Sequence, residues 1–317
     1  MSTTLSSLLA RDATDSAALC SSQRLLVTLV GDYWLGEVEP IPSAALVALL
    51  ADFGVSETGA RAALSRVGRG GRLERTRSGR STSYRLAPTS VEWARDNWRT
   101  LARYTSRGLD PTSATPWDGT WTCVAYSLPE DQRDTRPVVR SRLRRLGFAP
   151  LYDGVWVCPY RRGGPAETAL RELGVSAFTV FASADPSAGS GLLPLDAFDL
   201  APLRAHFERL AARFGHAAER MRSGSMGPAE SLVVRTDLMD RWRQMPDHDP
   251  ALPRELLPAS WPGWAARRLF ADVYDGLGEL AAERVRQIVR VHSPEVAARV
   301  EHRSIRGLGM LRGRPGA

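Results

Sequence analysis

The chain has 317 residues, enough for two or three domains at roughly 100–200 residues each. Hydrophobic residues make up 43% and charged residues 24%, the balance of a folded soluble protein rather than a disordered one. The formal net charge is +7, with no lysine, so every basic side chain counted in that total is an arginine.

No run approaches the ~18 uninterrupted apolar residues of a membrane helix. The first twenty residues carry Arg11, Asp12 and Asp15 where a secretory signal would be apolar, so a cytoplasmic protein with no membrane partner is expected. Cys20, Cys123 and Cys158 are odd in number and form no C-x-x-C pair, so they read as small buried residues. The charge is unevenly placed. Between Ser56 and Arg85 stand eight arginines (Arg61, Arg66, Arg69, Arg72, Arg75, Arg77, Arg80, Arg85) against Glu57 and Glu74, nearly the whole excess of the chain. A basic patch confined to one segment is the footprint of a nucleic-acid contact, although a solvated face gives the same count.

In chain order, residues 1–20 read as a loose arm. Leu25, Leu26, Leu29 and Val30 recur at helical spacing and predict a first helix ending between Gly31 and Trp34. After Pro40 and Pro42, Ser43 is the expected N-cap of a second helix, which ends at Phe53-Gly54. Ser56 is the expected cap of a third helix, running to about Gly68 with Ala60, Ala63, Leu64 and Val67 inward. Leu73–Thr76 and Ser83–Leu86 then flank Arg77-Ser78-Gly79-Arg80, a hairpin signature. This order is that of a winged helix-turn-helix, expected over 21–88. In such a module the third helix enters the major groove and the wing meets the backbone. Ser56 and Thr58, at the helix start, with Arg61, Ser65 and Arg66, are candidate base readers. Arg69, Arg77 and Arg80 are candidate phosphate contacts.

A connecting helix and linker are expected over 89–116. Thr89 or Ser90 would cap the helix, and Val91, Trp93, Ala94, Trp98, Leu101 and Tyr104 would form its apolar face, for domain packing or for a dimer contact. Over 117–185 the pattern is strand, helix, strand, strand, helix, strand: 121–127, 133–146, 148–152, 155–158, 165–173 and 176–183. Val138, Val139, Leu143 and Leu146 should face inward from the first helix, and Asp153-Gly154 should turn the hairpin. That order predicts a ferredoxin-like domain. Residues 186–317 read as a C-terminal all-α domain, with helices near 202–222, 229–244, 264–277 and 280–291, a Pro-rich interruption over 245–262 and a frayed tail from Gly307. The fold class expected is therefore α+β and multidomain.

The segments LLVTLVGDYW, PIPSAALVALLADFGVSETGARAALSRVGRGGRLE, SGRSTSYRLA and WDGTWTCVAYSLPEDQRDTRPVVRSRLRRLGFAPLYDGVWVCP resemble the PaaX-type repressors of phenylacetic acid catabolism. The resemblance covers most of residues 22–185. It implies a GntR-like winged helix, a central domain similar to the Cas2 nuclease fold and an all-α C-terminal domain. It also implies a homodimer on double-stranded operator DNA, released by an aryl-acyl-CoA such as phenylacetyl-CoA, and no cofactor. An acyl-CoA needs arginines for its phosphates and an apolar slot for the acyl group. Trp121, Tyr126, Trp156, Arg161 and Arg162 are the candidates, with a hydrophobic core as the alternative role for the aromatics.

Two rivals stand beside this reading. Metal-dependent cleavage by the Cas2-like domain needs carboxylates around an ion. The Cas2 family has an aspartate at the end of the first strand, and here Ser127 takes that place, with Glu130 and Asp131 nearby. His248, in PDHDP, reads as part of a solvated loop rather than a metal ligand. The second rival is an activator or dual regulator sensing another aromatic metabolite, which operator position rather than sequence would decide.

Overall fold

In a computed structural model of the chain, the structure describes residues 21–36, 39–79, 81–107, 109, 116–184, 186 and 191–310. The expected arm, Arg80, most of the expected linker and the end of the tail lie outside them. Among the described residues the fold is mixed α+β with two antiparallel sheets.

Helix α1 spans Ser22–Tyr33, and the Ser21 side chain accepts the Arg24 N–H at its start. Strand β1 (Ile41–Pro42) leads directly into α2 (Ser43–Ala51). Ser43 is thus the first helical residue and not the cap; Pro42 holds the cap position and makes no side-chain hydrogen bond. Gly54 has φ +74°, the left-handed conformation that lets the chain leave α2 and enter the next helix. Helix α3 spans Glu57–Arg69. Strands β2 (Leu73–Ser78) and β3 (Ser81–Leu86) form a hairpin, and with β1 a sheet of order β1-β3-β2. The strands are two residues longer at the turn than the sequence pattern suggests. Ser78 pairs with Ser81, and Gly79 turns the chain at φ +59°.

Helix α4 (Pro88–Ser106) begins on Pro88, with Ala87 as its cap, so neither Thr89 nor Ser90 caps it. Its buried residues are Trp98, Leu101, Ala102, Tyr104 and Thr105. Trp93 stands 61% exposed, away from that face, because it lies five positions before Trp98 and so about half a turn around the helix.

The next elements are β4 (Trp121–Ser127), a 3₁₀ turn over Glu130–Thr135, α5 (Arg136–Arg145), β5 (Ala149–Tyr152), β6 (Val155–Cys158), α6 (Gly163–Glu172) and β7 (Ala177–Ser183). Their sheet has the order β5-β6-β4-β7, every neighbouring pair antiparallel. Side chains alternate across it. Val124, Tyr126 and Trp156 lie on one face, in a core with Val139 and Leu143 of α5 and Ala166 and Leu170 of α6. Trp121, Cys123 and Val157 lie on the other, against Trp117, Leu195, Phe198 and Leu256. Val138 is 50% exposed; Val139 and Leu143, four apart on α5, form the buried stripe instead.

The remaining helices are α7 (Ala201–Arg222), α8 (Pro228–Trp242), α9 (Gly263–Gly276), α10 (Gly278–Arg290), α11 (Pro294–Ala298) and α12 (Ile305–Met310). Among the described residues, packing divides the chain into two compact units. One takes in residues 116–206 and Asp247–Trp261; the other takes in residues 21–109, Phe207–Pro246 and residues 262–310. In the second unit, α1, α2, α3 and the hairpin share one core with Leu232 of α8, Ala281, Ala282, Val285 and Val289 of α10, and Val296, Ala297 and Val300.

At the heart of that unit is Arg235, fully buried. Its Nε donates to the Tyr274 carbonyl (3.0 Å), Nη1 to the Tyr33 hydroxyl (3.1 Å) and Asp32 Oδ2 (3.4 Å), and Nη2 to the Arg303 carbonyl (2.7 Å). The Tyr274 ring lies 3.8 Å beneath the guanidinium. Burial pushes the Asp32 carboxyl above its ordinary pKa, and the Arg235 charge pulls it back. Removing one partner of such a pair strands the other in the core. Arg235→Ala should therefore lower unfolding free energy by ~3–5 kcal/mol in urea titration, and the double variant Asp32→Asn with Arg235→Met should recover part of that loss. A single variant as stable as the parent would show that the charge is not enclosed.

Candidate nucleic-acid interface

Helix α3 is built to present one face. Its cap, Ser56, accepts the Gly59 N–H at 3.2 Å, and Glu57 lies in the first turn, where the helix dipole favours an acid. Ala60, Ala63, Leu64 and Val67 recur at helical spacing and are buried. Thr58, Arg61, Ser65, Arg66 and Arg69 are left exposed.

The hairpin continues this surface. Leu73, Arg75 and Arg77 alternate onto one face of β2, opposite Leu86, Tyr84 and Thr82 of β3. Leu73, Tyr84 and Leu86 lie in the same core as the buried face of α3. Beyond that buried edge, Arg75 and Arg77 are exposed.

Ion pairs sort the arginines. Arg61 is held by Glu57 through Nη2 at 2.6 Å and Nε at 3.0 Å, and Arg85 by Glu74 at 2.8 Å. Both acids of the segment are therefore committed. Arg66, Arg69, Arg72, Arg75 and Arg77 are exposed and have no acidic partner among the described residues. Of the expected contacts, Thr58, Ser65, Arg66, Arg69 and Arg77 stand on this surface. Ser56 does too, but its hydroxyl is already engaged as a cap. Arg61 would have to leave Glu57 to read a base. Arg80 lies outside the described residues. Arg72 and Arg75 belong to the surface without having been singled out as contacts. The signal for Arg75 was its two-residue spacing from Arg77, hidden by placing the end of the strand at Thr76.

The five residues considered for an effector do not come together. Trp121 lies on one face of the central sheet and Tyr126 and Trp156 on the other, because their positions differ in parity along paired strands. All three are buried in packing. Arg161 is exposed and paired with Asp118 at 2.7 Å; Arg162 is exposed just before α6. Ser127 is exposed at the end of β4, and Glu130 of the following turn is paired with Arg133.

Comparison with known proteins follows the same divisions. Residues 21–90 match the family model described as PaaX-like protein, residues 114–191 the PaaX protein central Cas2-like domain, and residues 198–287 the PaaX-like protein C-terminal domain. The chain belongs to the PaaX family. A curated PaaX relative, the transcriptional repressor PaaX of Escherichia coli (strain K12), is 26% identical over 259 residues, 79% of this chain and 76% of that one. An uncharacterized protein from Mycobacterium tuberculosis has a similar fold, with TM-score 0.55 and 22% identity, covering 86% of this chain and 99% of the other. Among the described residues of this PaaX chain, no helix is long and apolar enough to cross a membrane.

The start of α3 supplies a direct test of its construction. Ser56→Ala removes the acceptor for the Gly59 N–H and should cost ~1 kcal/mol of stability, read from the urea midpoint. Ser65→Ala, on the exposed face, should leave the midpoint unchanged within ~0.5 kcal/mol.

Proposed function

We propose that this chain is a transcriptional repressor that grips double-stranded operator DNA with α3 and the β2–β3 hairpin, acting as a winged helix-turn-helix. The observation that carries the reading is the set of arginines on α3 and β2 left without acidic partners, in a chain whose family includes a named transcriptional repressor. Exposed guanidinium groups with no internal partner are free to displace counterions from phosphate. Thr58, Ser65 and Arg66 supply base-edge contacts from the exposed face of α3, with Arg61 joining once DNA competes for its pair with Glu57. Arg69, Arg72, Arg75 and Arg77 hold the backbone. The domain divisions at about 88, 116 and 185 are part of this reading. So is a ferredoxin-like assignment for the central sheet, supported by its strand order, and a homodimer on two half-sites.

The kinship to a repressor favours a regulator over an enzyme. Ser127 supports the same preference, since a hydroxyl stands where the Cas2 pattern has a carboxylate. Release by an aryl-acyl-CoA such as phenylacetyl-CoA rests on the family resemblance. A mobility-shift assay on the promoter of the neighbouring genes tests both parts. A retarded complex lost with one aryl thioester but not its free acid supports the whole reading. A complex that no thioester disturbs removes the acyl-CoA effector, and no complex at all removes the repressor.

Replacing single arginines separates the roles. Arg66→Ala should cost ~1–3 kcal/mol of operator affinity and relax preference at particular base pairs, checked by binding to a panel of single-substitution operators. Arg75→Ala and Arg77→Ala should weaken all sequences alike and each flatten the slope of log K against log salt by about one. Arg77→Ala losses confined to certain operators would place the wing on bases.

A further inference from the structure

A second concentration of charge lies in the first unit, outside the surface already described. Between Arg136 and Arg162 seven arginines stand against a single acid, Asp153, an excess equal to that of the segment from Ser56 to Arg85. Five of them lie on α5 and two just before α6. Arg136, Arg140 and Arg144 are four apart and form one stripe along α5, each ~6 Å further up the axis. The sheet brings the pair before α6 to the end of that helix. Cys158 Sγ donates to the Leu146 carbonyl, just past α5, at 4.0 Å, and Thr122, the register partner of Cys158, accepts the Arg162 backbone N–H at 3.3 Å. Three of the seven are paired: Arg140 with Asp153 at 2.7 Å, Arg142 with Glu172 at 3.5 Å and Arg161 with Asp118 at 2.7 Å. Arg144 lies 5.5 Å over the Trp156 ring. Arg136, Arg144, Arg145 and Arg162 have no acidic partner among the described residues. The helix dipole suits Arg144 and Arg145 at the end of α5, but Arg136 is the first residue of α5 and Arg162 the cap of α6, where a cation is disfavoured. Helix stability therefore does not account for this set.

We propose that this face of the first unit binds the sugar–phosphate backbone of duplex DNA, without regard to sequence, through Arg136, Arg144, Arg145 and Arg162. The choice of DNA as the polyanion rests on the repressor reading; the surface itself does not. Cations spread along an exposed helix suit an extended polyanion, whereas a small phosphate ligand needs them to converge in a concave site. Duplex DNA carries one charge per ~1.7 Å of axis, so a row of guanidinium groups spaced ~6 Å apart has phosphates within reach along its length. Each guanidinium can grip phosphate oxygens in bidentate fashion. α5 offers no aromatic side chain on which an unpaired base could stack, which favours a duplex over a single strand. Contacts of this kind position a protein on DNA and add affinity, and leave the reading of bases to other residues. The exposed pair of Arg140 with Asp153 is worth ~0–1 kcal/mol and yields readily to a phosphate.

The test uses the full chain and a labelled duplex of random sequence, with binding followed by fluorescence anisotropy over a range of salt concentrations. The variant Arg145→Gln with Arg162→Gln leaves Arg144 over Trp156. It should flatten the slope of log K against log salt by about two, one for each lost phosphate contact. Arg145→Lys with Arg162→Lys keeps the charge and should restore the parent slope. Arg209→Gln with Arg268→Gln removes two exposed arginines from outside both basic segments and should leave the slope at the parent value, which separates a local contact from net charge. A urea titration of the glutamine variant should match the parent, since both side chains are exposed. An unchanged slope in the glutamine variant overturns the surface, as does an equal loss in the Arg209 and Arg268 control. Coenzyme A binding that is lost in the glutamine variant while its DNA slope is unchanged would assign these arginines to a small phosphate ligand and overturn the DNA contact. The repressor is read separately, from preference for operator over random duplex. Absence of that preference removes the repressor and leaves a slope that depends on Arg145 and Arg162 standing; a clear preference with an unchanged slope removes this surface alone.

Discussion

The guanidinium of Arg235 sets the geometry of the larger unit. A buried charge is tolerated only where its donors are met, and here they are met from three directions: by Asp32 and Tyr33 of α1, by the Tyr274 carbonyl of α9, and by the Arg303 carbonyl of the C-terminal segment. Hydrophobic burial is indifferent to small sliding of one helix over another, whereas this constellation is not. If α1 shifts by a fraction of a turn, Asp32 and Tyr33 leave Arg235 and a charge is stranded. The pair thus matters less for the net stability it adds than for the single placement of α1 that it accepts.

That placement propagates. α1 packs with α2 and α3 in one core with the C-terminal helices, and a second tie, Arg284 of α10 to both oxygens of Asp52 at 2.7 and 2.9 Å, fixes the end of α2 just before the turn into α3. Contacts to base edges need a helix held to within a fraction of an ångström by rigid support. The C-terminal helices would provide that support, since they share the core of the elements proposed to contact DNA, so residues far apart in sequence form one mechanical body.

The local signals in the sequence were sufficient wherever a single element decided its own form. Gly54, Ser56, Asp153-Gly154 and the alternation of 121–127 marked turns, caps and strands that the structure shows. Caps chosen by residue type failed because each helix starts earlier than the candidate: Pro42 takes the cap position before Ser43, and Pro88 is the first helical residue ahead of Thr89 and Ser90. Trp93 and Val138 misled because an apolar residue was assumed to face inward. The candidate effector residues are separated for a different reason: composition says which side chains suit a ligand, but strand parity decides which face each one takes. Long-range facts were invisible. Nothing near Arg235 in sequence announces Asp32, roughly two hundred residues away, and the commitment of Arg61 to Glu57 appears only as an i,i+4 possibility among several.

The shared core also bears on how a signal reaches DNA. Coupling between two sites needs an element whose arrangement both sites bias, and it acts equally in both directions. The segment around Arg303 touches the end of α1 in two ways: its backbone carbonyl completes the shell of Arg235, while its side chain donates to the Leu35 carbonyl just beyond α1. The energy required is small. A coupling of ~1–3 kcal/mol changes affinity by roughly 5–150-fold, comparable to one hydrogen bond to a charged group made or lost.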